Sequence, residues 1–410
     1  MALLAYFTRT HAWASSFQHR DFRLLWMSTI SQSVGMGMEF VALGWLVLDL
    51  TDSPFMVGVA AAARMAPFFF LGIVSGAVAD RVERRLYLRW LALAGSAFSG
   101  IIALVLFQDP GRVWPIIVLT VGMGSVLAFT MPARHAYTYD IVGPAQALNG
   151  LALSGLSQRI GAMVGALVAG AIIAIAGIEV QYMAIAASYA LAAGVLVLTR
   201  HSGQAAIRVP ESVGRNLVGS FRLLRDNRTL LILMGLAAIT EVFGWTHQSL
   251  LPVFARDILG IGAVGLGVMG ACRQGGGVIG LLLLAGLGDY RHKGLLMFIV
   301  AGAFGAGLMS FSIGGSVVAF AIILVVANAC ASVADTLYKT LMQSNVTNEQ
   351  RGRAMGSWVL SIGAAPVGHL GVGALAGALG APGALLVNGS ILLGISILAA
   401  LGLPGIRRLE

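Results

Sequence analysis

A few ionisable residues stand inside long apolar stretches: Glu39, Arg64, Arg159, Glu241, Arg273, Asp335 and Lys339. An ionised side chain near the centre of a bilayer costs about 2.5–3.5 kcal/mol on insertion scales, so each should face a partner or a watery cavity. Glu39 precedes the end of its apolar stretch by as many residues as Arg64 follows the start of the next, and at about 1.5 Å per residue the two reach the same depth. Glu241 and Arg273 repeat the arrangement further along the chain. An acid beside a base at matching depth suits exchange of a proton or contact with a substrate, the arginine stabilising the ionised carboxylate. The alternative is a pair of structural ion bridges that lock neighbouring helices.

Arg159 lies about 16 Å from the inner end of its stretch, deep for a snorkelling side chain, and would meet an anionic substrate or Asp335. Asp335 and Lys339 are one helical turn apart and can pair with each other. Trp245, four residues after Glu241, would share its helix face and line an apolar pocket beside the charge. His247 and His369 titrate in the range a proton relay needs, but a lone histidine in a helix bundle more often packs as a hydrogen-bonded residue.

The elements that position these groups follow from composition. With 58% hydrophobic residues, 10% charged residues and 54 glycines, the chain reads as a polytopic membrane protein. A crossing needs roughly 20 apolar residues. Such stretches fall near residues 24–48, 55–79, 86–107, 113–131, 150–177 and 180–199, then 230–254, 264–287, 294–312, 316–342, 354–379 and 382–404. The expected architecture is all-α, with twelve transmembrane helices in two pseudo-symmetric six-helix bundles. It divides into a cytoplasmic tail (1–23), an N-terminal bundle (24–199), a cytoplasmic linker (200–229), a C-terminal bundle (230–404) and a second tail (405–410). Of the 26 basic residues only Arg112 and Arg256 fall on one side, with Arg64, Arg159, Arg273 and Lys339 inside spans and the remainder on the other side. That bias puts both termini in the cytoplasm and reads the net charge of +9 as topology rather than nucleic-acid binding.

The halves are related in sequence: a constant offset carries Gly58 onto Gly267, Arg64 onto Arg273, Asp80 onto Asp289 and Arg84 onto Lys293. Such duplication, with charges paired near the midplane, is the usual plan of an alternating-access carrier rather than a channel. Gly161, Gly165 and Gly170, Gly275 to Gly277 and Gly280, and Gly373 and Gly377 recur at helical spacing, which predicts close helix seams. In the linker, Leu217, Val218, Phe221 and Leu224 alternate with Arg222, Arg225 and Arg228, which suits a helix on an anionic leaflet or a solvated connection. Cys272 and Cys330 lie in spans without disulfide or metal spacing. No GxxxxGK[ST] phosphate loop and no nucleophile–base set is present, so neither an ATP-driven pump nor an enzyme is expected, and no metal or cofactor either.

Three loop segments narrow the class. GAVADRVERR, with Gly76, Asp80, Arg81, Arg84 and Arg85, resembles the loop between the second and third helices of the major facilitator superfamily, Glu83 standing where that family often has glycine. The segments around Pro132, Ala133, Arg134 and Ala136 and around Gln343, Arg351, Gly352 and Arg353 resemble loops of its enterobactin-exporter and multidrug-efflux branch. The resemblance runs from Phe22 to about Leu403. In the fifth span Ala166 replaces the proline that exporters of this superfamily tend to carry, which softens that clue. The resemblance implies a bacterial inner-membrane secondary transporter exporting a drug-like or siderophore-like compound by proton antiport. Gly76, Asp80, Arg81, Arg84, Arg85, Asp289 and Lys293 would then act as a conformational latch. A small-molecule substrate, protons and membrane lipids are the expected partners of a monomer. An importer or facilitator of a metabolite or lipid, and a transport-inactive sensor or scaffold, are the alternatives.

Overall fold

A lipid-embedded backbone has no water to bond, so apolar runs of this length must close their hydrogen bonds within helices. The computed structural model describes residues 15–79, 81–109, 111–203, 222–288, 290–347 and 350–410. Its main helices are α1 (Arg20–Thr51), α2 (Pro54–Ala79), α3 (Arg84–Gln108), α4 (Val113–Val142) and α5 (Ala147–Val197) in the first half. In the second half are α6 (Arg228–Ile239), α7 (Gly262–Gly286), α8 (Lys293–Ser310), α9 (Val317–Ser344), α10 (Arg351–Ile362) and α11 (Ala365–Gly402). Among the described residues, ten helical stretches are long and apolar enough to cross a membrane.

Two of the ten are too long for one crossing, at residues 144–197 and 358–402. Each is broken by a glycine in the left-handed region, Gly177 at φ 88° and Gly380 at φ 74°, where a residue with a Cβ would be strained. Each therefore carries the length of two crossings joined by a tight turn. The turn between α1 and α2 is equally local: Asp52 adopts φ 48° and returns its N–H to the Leu48 carbonyl at 2.8 Å. Pro54 then opens α2, where a missing N–H costs no helical bond.

The stretch after α6 departs from a regular helix. Thr240–Gly244 winds as π-helix, Trp245–Leu250 as 3-10 helix, and Phe254–Ile258 as π-helix again. These switches rotate the faces of residues that a uniform helix would align.

Within the first half α1 and α3 pack on α5, and α2 on α4; within the second, α8 packs on α9 and α11, and α7 on α9. The halves meet where α7 lies on α5 and α11 on α2. Both crossings are glycine to glycine: a Cβ on Gly267 would lie 3.2 Å from the Gly170 Cα, and one on Gly58 the same distance from the Gly373 Cα. The predicted seams at Gly165, Gly276 and Gly280 also press on backbone carbonyls of neighbouring helices, whereas Gly275 and Gly377 face open space.

One apolar core joins the halves at the Thr51 end, where Leu46 and Leu48 pack with Leu251, Val253 and Phe254. Toward the Arg20 end the core splits, with Phe22, Leu88 and Tyr137 in one cluster of the first half and Leu230, Met297 and Leu341 in another of the second. There the halves still touch where α10 crosses α2, Phe69 lying against Gly363. Outward-facing positions remain apolar, with Leu104, Val118, Ile175 and Leu282 all exposed, as a lipid-facing surface requires.

The expected domain limits shift in detail. The first helix begins at Arg20, inside the stretch read as a tail. The C-terminal residues are docked: Ile406 is buried and the Leu409 carbonyl accepts the Gly294 N–H at 3.0 Å. At the linker ends His201 bonds Asp21 through its N–H at 2.6 Å, and Leu224 is buried in the second half. Leu217, Val218 and Phe221 lie outside the described residues.

Candidate functional site

A cavity of about 140 Å³ lies between the halves. α1 contributes Gly37 and Phe40 to its wall, α2 contributes Arg64, and from the second half come Gln248, Arg273 and His369. Leu43, Val57 and Ala166 of its wall belong to the shared core at the Thr51 end. A further closure lies above it: Arg256, which precedes α7, donates to the Leu48 carbonyl at 3.0 Å and bridges Asp52 at 2.9 Å. The second half is thereby fastened to the end of α1.

The first expected acid–base pair is formed. Arg64 Nε donates to Glu39 Oε1 at 3.0 Å and Nη2 to Oε2 at 2.9 Å, a bidentate bridge with the Glu39 side chain 3% exposed. Equal depth on adjacent antiparallel helices brought the fork to the carboxylate, and the geometry satisfies both charges. Tyr182 and Tyr189 of α5 are buried within electrostatic reach of the pair, and the Tyr182 hydroxyl has no hydrogen-bond partner among the described residues.

The second pair is not formed, which corrects the expectation of two matched bridges. Glu241 sits in the π-helical turn and makes no hydrogen bond or ion pair with any described residue; Asp335 and Lys339 are the charges acting on it. Arg273 instead stands over the Phe40 ring of the first half, 4.6 Å from its centroid. The duplication preserves which residue types occur, but Glu241 stands in a π-helical turn whereas its counterpart Glu39 lies in an unbroken α-helix. Trp245 caps that π-helical turn, its N–H bonding the Thr240 carbonyl. It packs edge-on to Phe304, ring centroids 6.0 Å apart.

Asp335 and Lys339 do pair, Nζ to Oδ2 at 2.7 Å, and Trp358 completes the group by donating its indole N–H to Asp335 Oδ1 at 3.2 Å beneath the Lys339 ammonium. Arg159 lies against Gly277 of α7 within electrostatic reach of Asp335, with no direct ion pair. Both histidines are buried and hydrogen-bonded: His247 Nδ1 bonds the Gly244 carbonyl at 2.8 Å, and His369, in the cavity wall, bonds Ser249 through Nδ1 at 2.6 Å.

The loop motifs brace the first half. Arg84 is buried and bridges Asp140 of α4 at 2.5 Å while donating to the Ala79 carbonyl at 3.2 Å. Arg85 bonds Glu83 and the carbonyls of Thr199 and Arg200. These contacts stay within the first half; Asp80 and Asp289 of the expected conformational latch lie outside the described residues. Arg81 is exposed, and a Cβ at Gly76 would meet nothing within 4 Å. Lys293 opens α8. Pro132 lies inside α4, and the buried Arg134 donates to Gln32 of α1. Arg351 and Arg353 open α10, their side chains outside the described set. Asp140 and Gln32 were given no role from sequence, and Arg256 only one in topology, since no local spacing announces a partner two helices away.

Known proteins share this organisation. The chain is similar to the enterobactin exporter EntS of Salmonella typhi, 26% identical over 370 residues covering 86% of each chain. To the staphyloferrin A transporter of Staphylococcus aureus (strain NCTC 8325 / PS 47) it is 22% identical, over 80% of this chain and 83% of that one. Among solved structures, the bacterial homologue of the human lysosomal transporter Spinster superposes with a TM-score of 0.75 at 14% identity, over 94% of this chain and 98% of that one. The nucleoside transporter NupG does so with 0.73 at 16% identity, over 95% and 100%. A family described as transmembrane secretion effector matches residues 10–408. The chain is thus a multi-pass membrane transporter, not an enzyme, and belongs to the transmembrane secretion effector family of the major facilitator superfamily.

Proposed function

We propose that this protein exports a small amphipathic, siderophore-like compound across a bacterial inner membrane by proton antiport. It acts as a monomer with twelve crossings and with both termini in the cytoplasm. The observation that carries this reading is the cavity bounded by both halves and capped at the Thr51 end by Arg256 and a shared apolar core. With the termini inside, the capped end is the outer one, so rocking the halves about the glycine crossings would expose the same cavity to either side. Export rather than uptake is favoured by the relatives named as enterobactin exporters. Glu241 is the proton carrier in this scheme, because it can gain and lose a proton without breaking a bridge, while the Glu39–Arg64 pair holds α1 against α2.

Inverted vesicles bearing the full-length protein test the reading directly. Accumulation of a siderophore or amphipathic dye driven by an imposed proton gradient is expected. Equilibration without accumulation, at a rate independent of the gradient, would point to a facilitator, and no movement of any compound under any gradient would reject export.

A further inference from the structure

Arg273 is the unexplained group of the cavity. It lines the wall, its guanidinium makes no hydrogen bond or ion pair with any described residue, and its Nε is buried without a partner. The charges acting on it are two other arginines, Arg159 and Arg64, with no acid among them. Glu39 neutralises Arg64 through both of its oxygens, and Asp335 acts on Arg159. The cavity wall is therefore left with one uncompensated cation. A buried unpaired charge is costly and is retained where something else supplies the counter-charge. The Phe40 ring covers one face of the guanidinium, which leaves the edge of the fork, with its parallel N–H donors, to approach a planar oxyanion. Around that point Met36, Phe40, Leu43 and Met65 supply apolar wall, with Gln248 and Gln274 as further donors or acceptors.

We propose that Arg273 is the specificity-determining residue of the cavity and that it selects substrates carrying a carboxylate on an apolar or aromatic body. The inference rests on the export reading for its physiological meaning, but the binding it asserts is measurable alone. Because Arg273 belongs to the second half and Phe40 to the first, a bound carboxylate would draw on both, giving the substrate a hold on the relative position of the halves.

The test uses the full-length protein in nanodiscs and calorimetric titration with matched pairs of probes: 2-naphthoate and 2-naphthamide, biphenyl-4-carboxylate and its amide, dodecanoate and its amide. For the wild type each carboxylate should bind about tenfold or more tightly than its amide, as a charge-assisted contact implies. Arg273→Gln should erase that preference while still binding the amides, and Arg273→Lys should keep part of it, since an ammonium supplies charge without the fork. The retained amide binding shows that Arg273→Gln is folded. Equal binding of acid and amide by the wild type, an unchanged preference in Arg273→Gln, or no saturable binding of any probe would overturn the proposal. A lost preference in Arg273→Gln together with absent gradient-driven transport in the wild type would leave the site standing and remove the export reading.

Discussion

Breaking the Glu39–Arg64 bridge from one side strands a charge beside apolar core. Arg64→Ala is accordingly expected to lower stability by about 3–5 kcal/mol, read as a fall in the unfolding midpoint in detergent, whereas Glu39→Leu combined with Arg64→Leu should recover most of it. A double variant as unstable as the single one would mean that the pair does more than compensate charge. Glu241 carries a different expectation: Glu241→Gln should retain substrate binding and lose the dependence of transport on the proton gradient, measured by flux in vesicles with and without an imposed gradient. Full gradient dependence in that variant would remove Glu241 from the coupling scheme. The contrast between these two acids marks what residue spacing could reveal. Equal depth was enough to bring Glu39 to Arg64, because α1 and α2 are regular and directly connected. The same arithmetic did not bring Glu241 to Arg273, which stands over Phe40 instead, because depth says nothing of how a side chain is turned about its helix.

At the scale of helices, the glycine crossings of α7 on α5 and α11 on α2 let backbones of the two halves touch. Leucine at either Gly58 or Gly267 cannot fit against a neighbouring backbone and should force the halves apart at the Thr51 end. Spin labels at Asp49→Cys and Ile258→Cys, in a background with Cys272 and Cys330 replaced by alanine, should then report a longer distance in Gly58→Leu and Gly267→Leu than in the parent. An unchanged distance would mean that these crossings do not set closure. Arg256→Ala removes the fastening of Asp52 and Leu48 and should shift the same distance distribution in the same direction, by less, because the shared apolar core remains. The seams themselves were legible as glycine periodicity, and the crossing lengths as hydropathy. Which glycines meet across the halves was not, nor was the Arg84–Asp140 bridge, since both depend on how separate helices turn toward one another.

Over the whole molecule, the duplicated sequence yields two bundles that share a core at one end and keep separate cores at the other. That asymmetry is what an alternating-access cycle uses: free energy invested in apolar contact at one end must be exchanged for contact at the other. The halves resemble one another in helix order while differing in the chemistry they bring to the cavity, a neutralised arginine from the first and a bare one from the second. The most direct test is a pair of distances measured by double electron–electron resonance, Asp49→Cys with Ile258→Cys at one end and Tyr139→Cys with Tyr290→Cys at the other. Both pairs are to be followed with and without a proton gradient and saturating 2-naphthoate. Reciprocal changes, one distance lengthening as the other shortens, are the predicted result; two distances that stay fixed, or that lengthen together, would contradict it.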